Sequence, residues 1–117
     1  MRRTVLIVDD HAAFRSAARA LLEAAEFEVV GDAVDGESAV AAAEALHPEI
    51  VLLDVQLPDI DGFAVAERLA KIDEPPTVVF TSSRSVASVR WRLESFAWHF
   101  IPKSELSGEA LAAAVPG

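Results

Sequence analysis

Five polar residues that could take part in chemistry stand directly after short apolar runs of the chain. These are Asp9 and Asp10 after TVLIV, Asp54 after IVLL, Thr81 after TVVF, and Lys103 after HFI with one proline between. Two carboxylates about 4 Å apart repel each other by about 4 kcal/mol at an effective dielectric constant of about 20, so a cluster of three needs cations. Lys103 supplies one positive charge, and a divalent ion would supply the rest. Oxygen ligands with no histidine or cysteine nearby favour magnesium over zinc.

This set of groups suits phosphoryl chemistry. Magnesium held by few carboxylates keeps coordination positions for water and for a phosphoryl oxygen, and a lysine and a hydroxyl then complete a clamp. An aspartate can itself be the nucleophile and form an acyl phosphate. Singly, each residue has a plainer explanation, since an acid such as Asp10 or Asp61 often caps the helix that follows it. One suitable residue type at each of four strand ends favours a shared site.

The apolar runs that precede these residues read as buried strands. They are rich in Val and Ile and mostly do not alternate with polar residues, which is typical of strands covered on both faces. The five runs span residues 4–8, 27–30, 50–53, 77–80 and 99–101. Helical patterns lie between them, so the chain is predicted to be an α/β protein with a parallel sheet, right-handed crossovers and helices on both faces. Ligands of such sheets bind beyond the carboxyl ends of the strands.

Helical spacing predicts the buried face of each helix. The predicted faces are Phe14, Ala17, Leu21 and Ala25; Val40, Ala43 and Leu46; Val65 and Leu69; and Val86, Val89, Leu93 and Phe96. The second helix is entered through Asp35 and Gly36, and Ser107 is expected to cap a short last helix that contains Leu111.

Composition limits the class of protein. With 117 residues and 52% hydrophobic content, residues 1–117 are predicted to form a single globular domain. A net charge of −9 disfavours direct nucleic acid binding, which depends on cationic contacts to phosphates. No apolar run approaches the ~20 residues of a membrane span. The chain has no cysteine and a poor signal sequence, so the cytoplasm is the expected location.

The motifs VLIVDDH, IVLLDVQLPDIDG, VVFTSS and FIPK resemble those of the receiver domain of two-component response regulators, and the likeness covers essentially the whole chain. The resemblance implies a flavodoxin-like doubly wound sheet of five parallel strands in the order 2-1-3-4-5. It also implies that Asp54 accepts a phosphoryl group from a sensor histidine kinase or a phosphotransfer protein. Magnesium would be held by Asp9, Asp10, Asp54 and the backbone carbonyl of Gln56.

The resemblance also implies a switch. Thr81 would hydrogen-bond the phosphoryl group, Lys103 would pair with it, and Phe100 would turn inward as the switch aromatic. The fourth predicted helix, the fifth strand and the last helix would then present a changed face to an unidentified downstream protein or to a second copy of the chain. Trp91 lies off the apolar stripe of its helix and Trp98 faces the same side of its strand as Phe100, so both are candidates for that partner surface.

The sequence departs from the family at the fifth strand. Ser104 follows Lys103 where the family commonly has a proline, often after a cis peptide bond. The last helix also looks short. No output domain follows, which favours a stand-alone receiver, although an excised module would look the same.

The sequence argues against three other functions. A binding module that is not phosphorylated would be expected to lack an acid, Thr81 or Lys103, and none is missing. A magnesium-dependent phosphatase would want a second acid where Gln56 stands. A nucleotide-binding protein would need a glycine-rich loop after the first strand, where the sequence is DDHAAF. The histidines His11, His47 and His99 are scattered and predict no ligand set.

Overall fold

Five parallel strands form one sheet in the order β2-β1-β3-β4-β5. In this computed structural model, residues 2–83 and 99–115 are described. The strands are β1 (Thr4–Val8), β2 (Glu28–Ala33), β3 (Ile50–Asp54), β4 (Thr77–Ser82) and β5 (His99–Pro102). The helices of the described part are α1 (Ala12–Ala24), α2 (Gly36–Leu46), α3 (Gly62–Leu69) and α4 (Gly108–Ala114), with a 3-10 turn at Lys103–Glu105. The predicted fold class, strand order and five strands are confirmed.

Both faces of the sheet are covered by apolar side chains, which explains why the strands do not alternate. Along β1, Leu6 and Val8 join one buried cluster and Val5 and Ile7 join the other. The first cluster includes residues of α2 and α3, and we call that side the α2–α3 face. The second includes residues of α1 and α4, and we call it the α1–α4 face. The sheet is therefore a rigid, dry support for the residues at its carboxyl edge.

The helices begin at side-chain caps where the sequence predicts them. The Asp35 carboxylate accepts a hydrogen bond from Ser38 N–H at 2.8 Å and starts α2. The Ser107 hydroxyl accepts one from Ala110 N–H at 2.9 Å, so the predicted cap of the last helix is confirmed. Asp61 caps α3 through Phe63 N–H. Asp10 caps nothing, because the residue at the N-cap of α1 is His11.

The predicted buried face of α1 is wrong by one residue. Ala18 and Leu22 are its buried residues, whereas Leu21 is 37% exposed and Ala17 and Ala25 are exposed. Only Phe14 of the predicted set is partly buried against the core. The segment ALLEA carries two adjacent leucines, and one residue turns a helix by about 100°. Composition alone therefore cannot decide whether the helix face with Leu21 or the face with Leu22 is buried.

The buried faces of the next two helices were mostly predicted correctly. Val40 and Ala43 of α2 and Val65 and Leu69 of α3 are buried, while Leu46, the last residue of α2, is 44% exposed. The fourth predicted helix lies outside residues 2–83 and 99–115, as do Trp91 and Trp98. None of the helices in the described ranges combines the length and the apolar character that a membrane crossing requires.

Candidate functional site at the carboxyl edge of the sheet

The residues that the sequence places at strand ends meet at one edge of the sheet. Asp9 follows β1, Asp54 is the last residue of β3, and Lys103 follows β5. Thr81 lies in β4 directly opposite Asp54 in the parallel register. Because β1, β3 and β4 are consecutive neighbours, these positions face a common cleft beyond the strands. We call Asp9, Asp10, Asp54 and Lys103 the acidic site.

The Lys103 ammonium bridges two buried carboxylates. Its Nζ lies 2.6 Å from Asp9 Oδ2 and 3.1 Å from Asp54 Oδ2. Asp9 is fully buried and Asp54 is 4% exposed, so this ion pair is largely removed from water. Burial acts to lower the pKa of Lys103, but the two carboxylates outweigh it and raise that pKa above its ordinary value. The ammonium is therefore firmly protonated at neutral pH.

The Asp54 carboxylate is under opposing influences. Burial raises its pKa above the ordinary value, while the hydrogen bond from Gln56 N–H and the Lys103 ammonium act to lower it. The Gln56 N–H donates to Asp54 Oδ1 at 3.0 Å, which leaves Oδ2 toward the lysine. This contact also brings residue 56 beside the carboxylate, where its carbonyl was expected as a metal ligand.

Two buried oxygen atoms of this edge lack a well-aligned hydrogen bond within the described residues. One is the Thr81 hydroxyl, on a fully buried side chain. The other is Asp9 Oδ2, which nevertheless has the Lys103 ammonium at ion-pair distance. At 2.6 Å the opposite charges attract strongly whatever the alignment, so this carboxylate oxygen is paired with the ammonium. A buried polar group without a partner costs about 1–3 kcal/mol, so the hydroxyl is ready to bond an incoming ligand oxygen.

A histidine also lies at the acidic site, contrary to the prediction. Ligand atoms of Asp9, Asp10, His11 and Asp54 all lie within 4.8 Å of one another. The His11 Nδ1 is 3.1 Å from Asp9 Oδ1 and 3.1 Å from Asp10 Oδ1. The expectation that no histidine stands near the carboxylates was therefore wrong, and the motif DDH itself was the missed signal. The three carboxylates still form the hard oxygen donor set that fits magnesium.

The loop after Asp54 is pressed against the strand end. Gly62 N–H donates to the Val55 carbonyl at 3.0 Å, and a Cβ at Gly62 would lie 2.4 Å from the Asp54 carbonyl oxygen. No side chain fits there, so glycine is needed for close approach of two backbones. Gly62 therefore shapes this loop for a steric reason.

Asp59 ties the same loop to α2, a contact that sequence reasoning missed. Its carboxylate accepts hydrogen bonds from Gly36 N–H at 2.8 Å and from Glu37 N–H at 3.0 Å. These are the first amides of α2, whose partial positive charge favours an anion. The Gly36 hydrogen bond leads the causes that lower the pKa of Asp59 below its ordinary value of 3.8.

We expect Asp59→Asn to reduce stability in a pH-dependent way. The folded-state pKa is depressed, so the carboxylate stabilises the fold above its unfolded pKa and loses that effect as pH falls through the folded value. In thermal melts at neutral pH, the variant should have a lower melting temperature than wild type. The two melting temperatures should converge in acid below pH 3.8. Asp73→Asn, at an exposed aspartate after α3, is the control. A gap that is constant with pH would contradict this account.

Two residues of α1 also reach the acidic site and were not predicted to do so. Arg15 Nη1 donates to the Asp9 carbonyl at 2.8 Å, and its Nε lies 3.4 Å from Asp32 Oδ2. The ring of Phe14 lies under Lys103, with Nζ 4.7 Å from the ring centroid. Sequence analysis assigned Phe14 only to the core face of its helix.

Ser104 follows Lys103 where a proline after a cis peptide bond was the pattern expected from the resemblance, and the peptide bond here is not cis. The residues 99–115 contain no cis bond, so the Lys103–Ser104 peptide is trans and opens the 3-10 turn. Phe100 pairs with Phe80 across β4 and β5. It is half-buried and packs against the α2–α3 face.

Comparison with known proteins identifies a single family over nearly the full length. The family model described as the response regulator receiver domain matches residues 5–115. A protein-glutamate methylesterase/protein-glutamine glutaminase 1 of Methanosarcina mazei is 36% identical over 104 residues, which are 86% of this chain and 29% of that protein. A candidate transcriptional regulator of Pseudomonas aeruginosa is 38% identical over 111 residues, 94% of this chain and 54% of that protein.

Solved structures agree with the sequence comparison. The crystal structure of the response regulator domain of Thermotoga maritima CheB superposes with a TM-score of 0.78 at 26% identity, covering 97% of this chain and 89% of that one. The chain spans less than two thirds of the two relatives named above, 29% of one and 54% of the other. The part matched in these proteins is therefore the α/β unit itself.

Proposed function

Because this chain belongs to the response regulator receiver family, a signalling switch family that interacts with histidine kinases, we propose that it accepts a phosphoryl group on Asp54 in a magnesium-dependent reaction. The donor is a phosphohistidine on a sensor histidine kinase or a phosphotransfer protein. Residues 1–117 form one receiver domain in this proposal, and the reaction takes place in the cytoplasm.

One observation carries the proposal: the Lys103 ammonium bridges Asp9 and Asp54 in a buried cleft. The same cleft contains the Thr81 hydroxyl, which has no hydrogen-bond partner among residues 2–83 and 99–115. An Asp54 carboxylate oxygen forms the new bond to phosphorus as the bond from phosphorus to the donor nitrogen breaks. Lys103 then pairs with a phosphoryl oxygen, and the Thr81 hydroxyl donates a hydrogen bond to another. Both groups are already at the edge where charge accumulates, so little rearrangement is needed.

The donor set also supports a magnesium requirement. Asp9, Asp10, Asp54 and the Gln56 carbonyl would hold the ion, which when bound supplies charge that offsets the carboxylates and the phosphoryl oxygens. Without it, a phosphoryl group of charge about −1.5 to −2 would enter a site that has one lysine against three acids. The residues of the chain alone leave the site too negative for efficient transfer.

The output of the switch follows from the same contacts. Bonds from the new phosphoryl group to Thr81 and Lys103 bias the segments after β4 and β5, and Phe100 moves inward with Thr81. The changed surface is the fourth predicted helix, β5 and the last helix, with Trp91 and Trp98 as its candidate aromatic contacts. Its partner is a downstream protein or a second copy of this chain, not nucleic acid or a membrane.

Intact mass spectrometry tests the proposal directly. Wild type is incubated with acetyl phosphate, with a phosphorylated histidine kinase in parallel, each with magnesium or with EDTA. We expect a gain of one phosphoryl group with magnesium and none with EDTA. No gain from either donor in the presence of magnesium would overturn the proposal, since the kinase arm covers receivers that reject small donors.

Lys103→Met should separate the two roles of the ammonium. Magnesium competes with Lys103 for Asp9 and Asp54, so removing the charge should tighten magnesium binding by roughly ten-fold, equivalent to ~1.4 kcal/mol. Acyl-phosphate formation should nevertheless slow, because the phosphoryl group loses its cationic partner. Isothermal titration calorimetry with magnesium gives the first quantity and mass spectrometry the second.

The chain offers one matched control for this variant. Its other lysine, Lys71, is exposed after α3, and Lys71→Met should change neither quantity. Magnesium affinity that stays the same or weakens in Lys103→Met would show that the ammonium does not compete for the carboxylates.

A further inference from the structure

The Lys103 ammonium lies over an aromatic ring as well as beside two carboxylates. Its Nζ lies over the Phe14 ring, 4.7 Å from the centroid, and contacts Asp9 Oδ2 and Asp54 Oδ2 at 2.6 and 3.1 Å. The lysine side chain is 14% exposed, so little of it meets water. A cation over the face of a ring within about 6 Å is attracted by the ring quadrupole.

The ring and the lysine reach this contact from independent elements. Phe14 comes from the first turn of α1, while Lys103 follows β5 and opens a 3-10 turn. Phe14 packs against the apolar cluster of the α1–α4 face, which anchors the ring. The lysine has a four-carbon stem with many rotamers, and backbone position alone does not fix its end. The anchored ring restricts the ammonium to the side of the two carboxylates.

We propose that Phe14 is a positioning residue for Lys103: its ring holds the ammonium between Asp9 and Asp54 and shields it from water. This inference rests on the proposed phosphoryl transfer, because it assigns Phe14 an effect on that reaction through Lys103. The positioning role needs two features of the Phe14 side chain, its apolar volume and the negative face of its ring. A core role needs the volume alone, so the two roles predict different results for a leucine and for a tyrosine.

The test compares variants that change the ring face at nearly constant volume. Phe14→Leu keeps apolar volume without the quadrupole, Phe14→Tyr keeps the ring, and 3,4,5-trifluorophenylalanine at position 14 keeps the shape but weakens the negative face. The rate of acyl-phosphate formation with magnesium and acetyl phosphate should fall about five-fold for leucine and for the fluorinated ring, equivalent to ~1 kcal/mol, and by less than about two-fold for tyrosine. Phe27→Leu, a buried residue of the same cluster, should leave the rate unchanged.

A double-mutant cycle isolates the coupling. In a Lys103→Met background, Phe14→Leu should have no further effect on the rate, since the group that the ring positions is gone. A spectroscopic measurement needs no reaction at all: the chain has two lysines, Lys71 and Lys103, so lysine labelled at the ε-carbon gives two NMR signals. Ring current should shift the Lys103 ε-protons upfield in wild type and in Phe14→Tyr but not in Phe14→Leu, with Lys71 as the internal reference.

Each result decides the inference. Equal rates for Phe14→Leu and wild type would overturn it, as would a loss that persists in the Lys103→Met background. If wild type itself gains no phosphoryl group from acetyl phosphate or a kinase, the proposed function fails and the positioning role fails with it. If wild type and Phe14→Leu gain the phosphoryl group at the same rate, only the positioning role of Phe14 is overturned. The two failures are therefore distinguishable.

Discussion

Asp54→Asn is expected to abolish the phosphoryl mass gain completely, from a kinase and from acetyl phosphate alike. A carboxamide is a very poor nucleophile toward phosphorus at neutral pH, and the neighbouring acids do not occupy the end of β3. Burial leads the causes that raise the pKa of Asp54. By linkage, ionising this carboxylate costs stability, and the loss develops as pH rises from its unfolded pKa through its raised folded pKa. The neutral amide should therefore melt at the same temperature as wild type or higher, which separates lost chemistry from lost folding.

Asp73→Asn provides the matched control for this variant. It makes the same chemical change at an exposed position after α3 and should keep the full mass gain. A magnesium-dependent gain that survives in Asp54→Asn would mean that another acid, with Asp9 and Asp10 the nearest, is the acceptor. Peptide mapping after borohydride trapping of the acyl phosphate would then identify it.

Gly62→Ala should lower the stability of the fold through a single added methyl group. The new Cβ would lie 2.4 Å from the Asp54 carbonyl oxygen and 2.7 Å from Val55 Cα, both backbone atoms of the buried strand end. Relief requires the loop or β3 to shift, and overpacking of this kind costs about 1–3 kcal/mol. Urea unfolding should show the lower stability, and phosphoryl transfer should slow because the shift displaces Asp54.

Gly31→Ala is the comparison that tests the steric argument. Its Cβ would lie 2.9 Å from the end of the Leu46 side chain and 3.7 Å, an ordinary contact distance, from Leu6 Cδ1. Leu46 is 44% exposed and can turn away. Stability should change by less than about 0.5 kcal/mol, as at ordinary surface positions. If both alanine variants unfold alike, close backbone approach is not what requires glycine at position 62.

The residues at the edge of the sheet were predictable because a parallel sheet gathers strand ends. Once IVLL and TVVF are read as neighbouring strands, Asp54 and Thr81 must lie close, and the structure places them directly opposite each other. Lys103 was predictable for the same reason, with its charge needed to offset the acids. These inferences use only strand period and strand direction, which sequence encodes strongly.

Contacts made by helices at the same edge were not predictable in this way. Phe14 was predicted to face the core, but neither Phe14 nor Arg15 was predicted to reach the site. The helix packs with Ala18 and Leu22 inward, where the sequence favoured Ala17 and Leu21. His11 was set aside as a lone histidine, although its position after two acids was a usable signal. Asp59 contacts α2 across 23 positions of sequence, a separation at which no local pattern operates.

The position of Thr81 within the sheet restricts how its hydroxyl can move. Its backbone is paired with Asp54 on one side and Ile101 on the other, and its carbonyl accepts from Val55 N–H at 3.0 Å. The residue cannot slide without breaking hydrogen bonds on two strands. Approach to a phosphoryl oxygen is thus a rotation about χ1, and a β-branched side chain has few staggered wells. In the proposed switch, the signal from Asp54 is therefore expected to be a discrete change of the Thr81 side chain from one staggered rotamer to another.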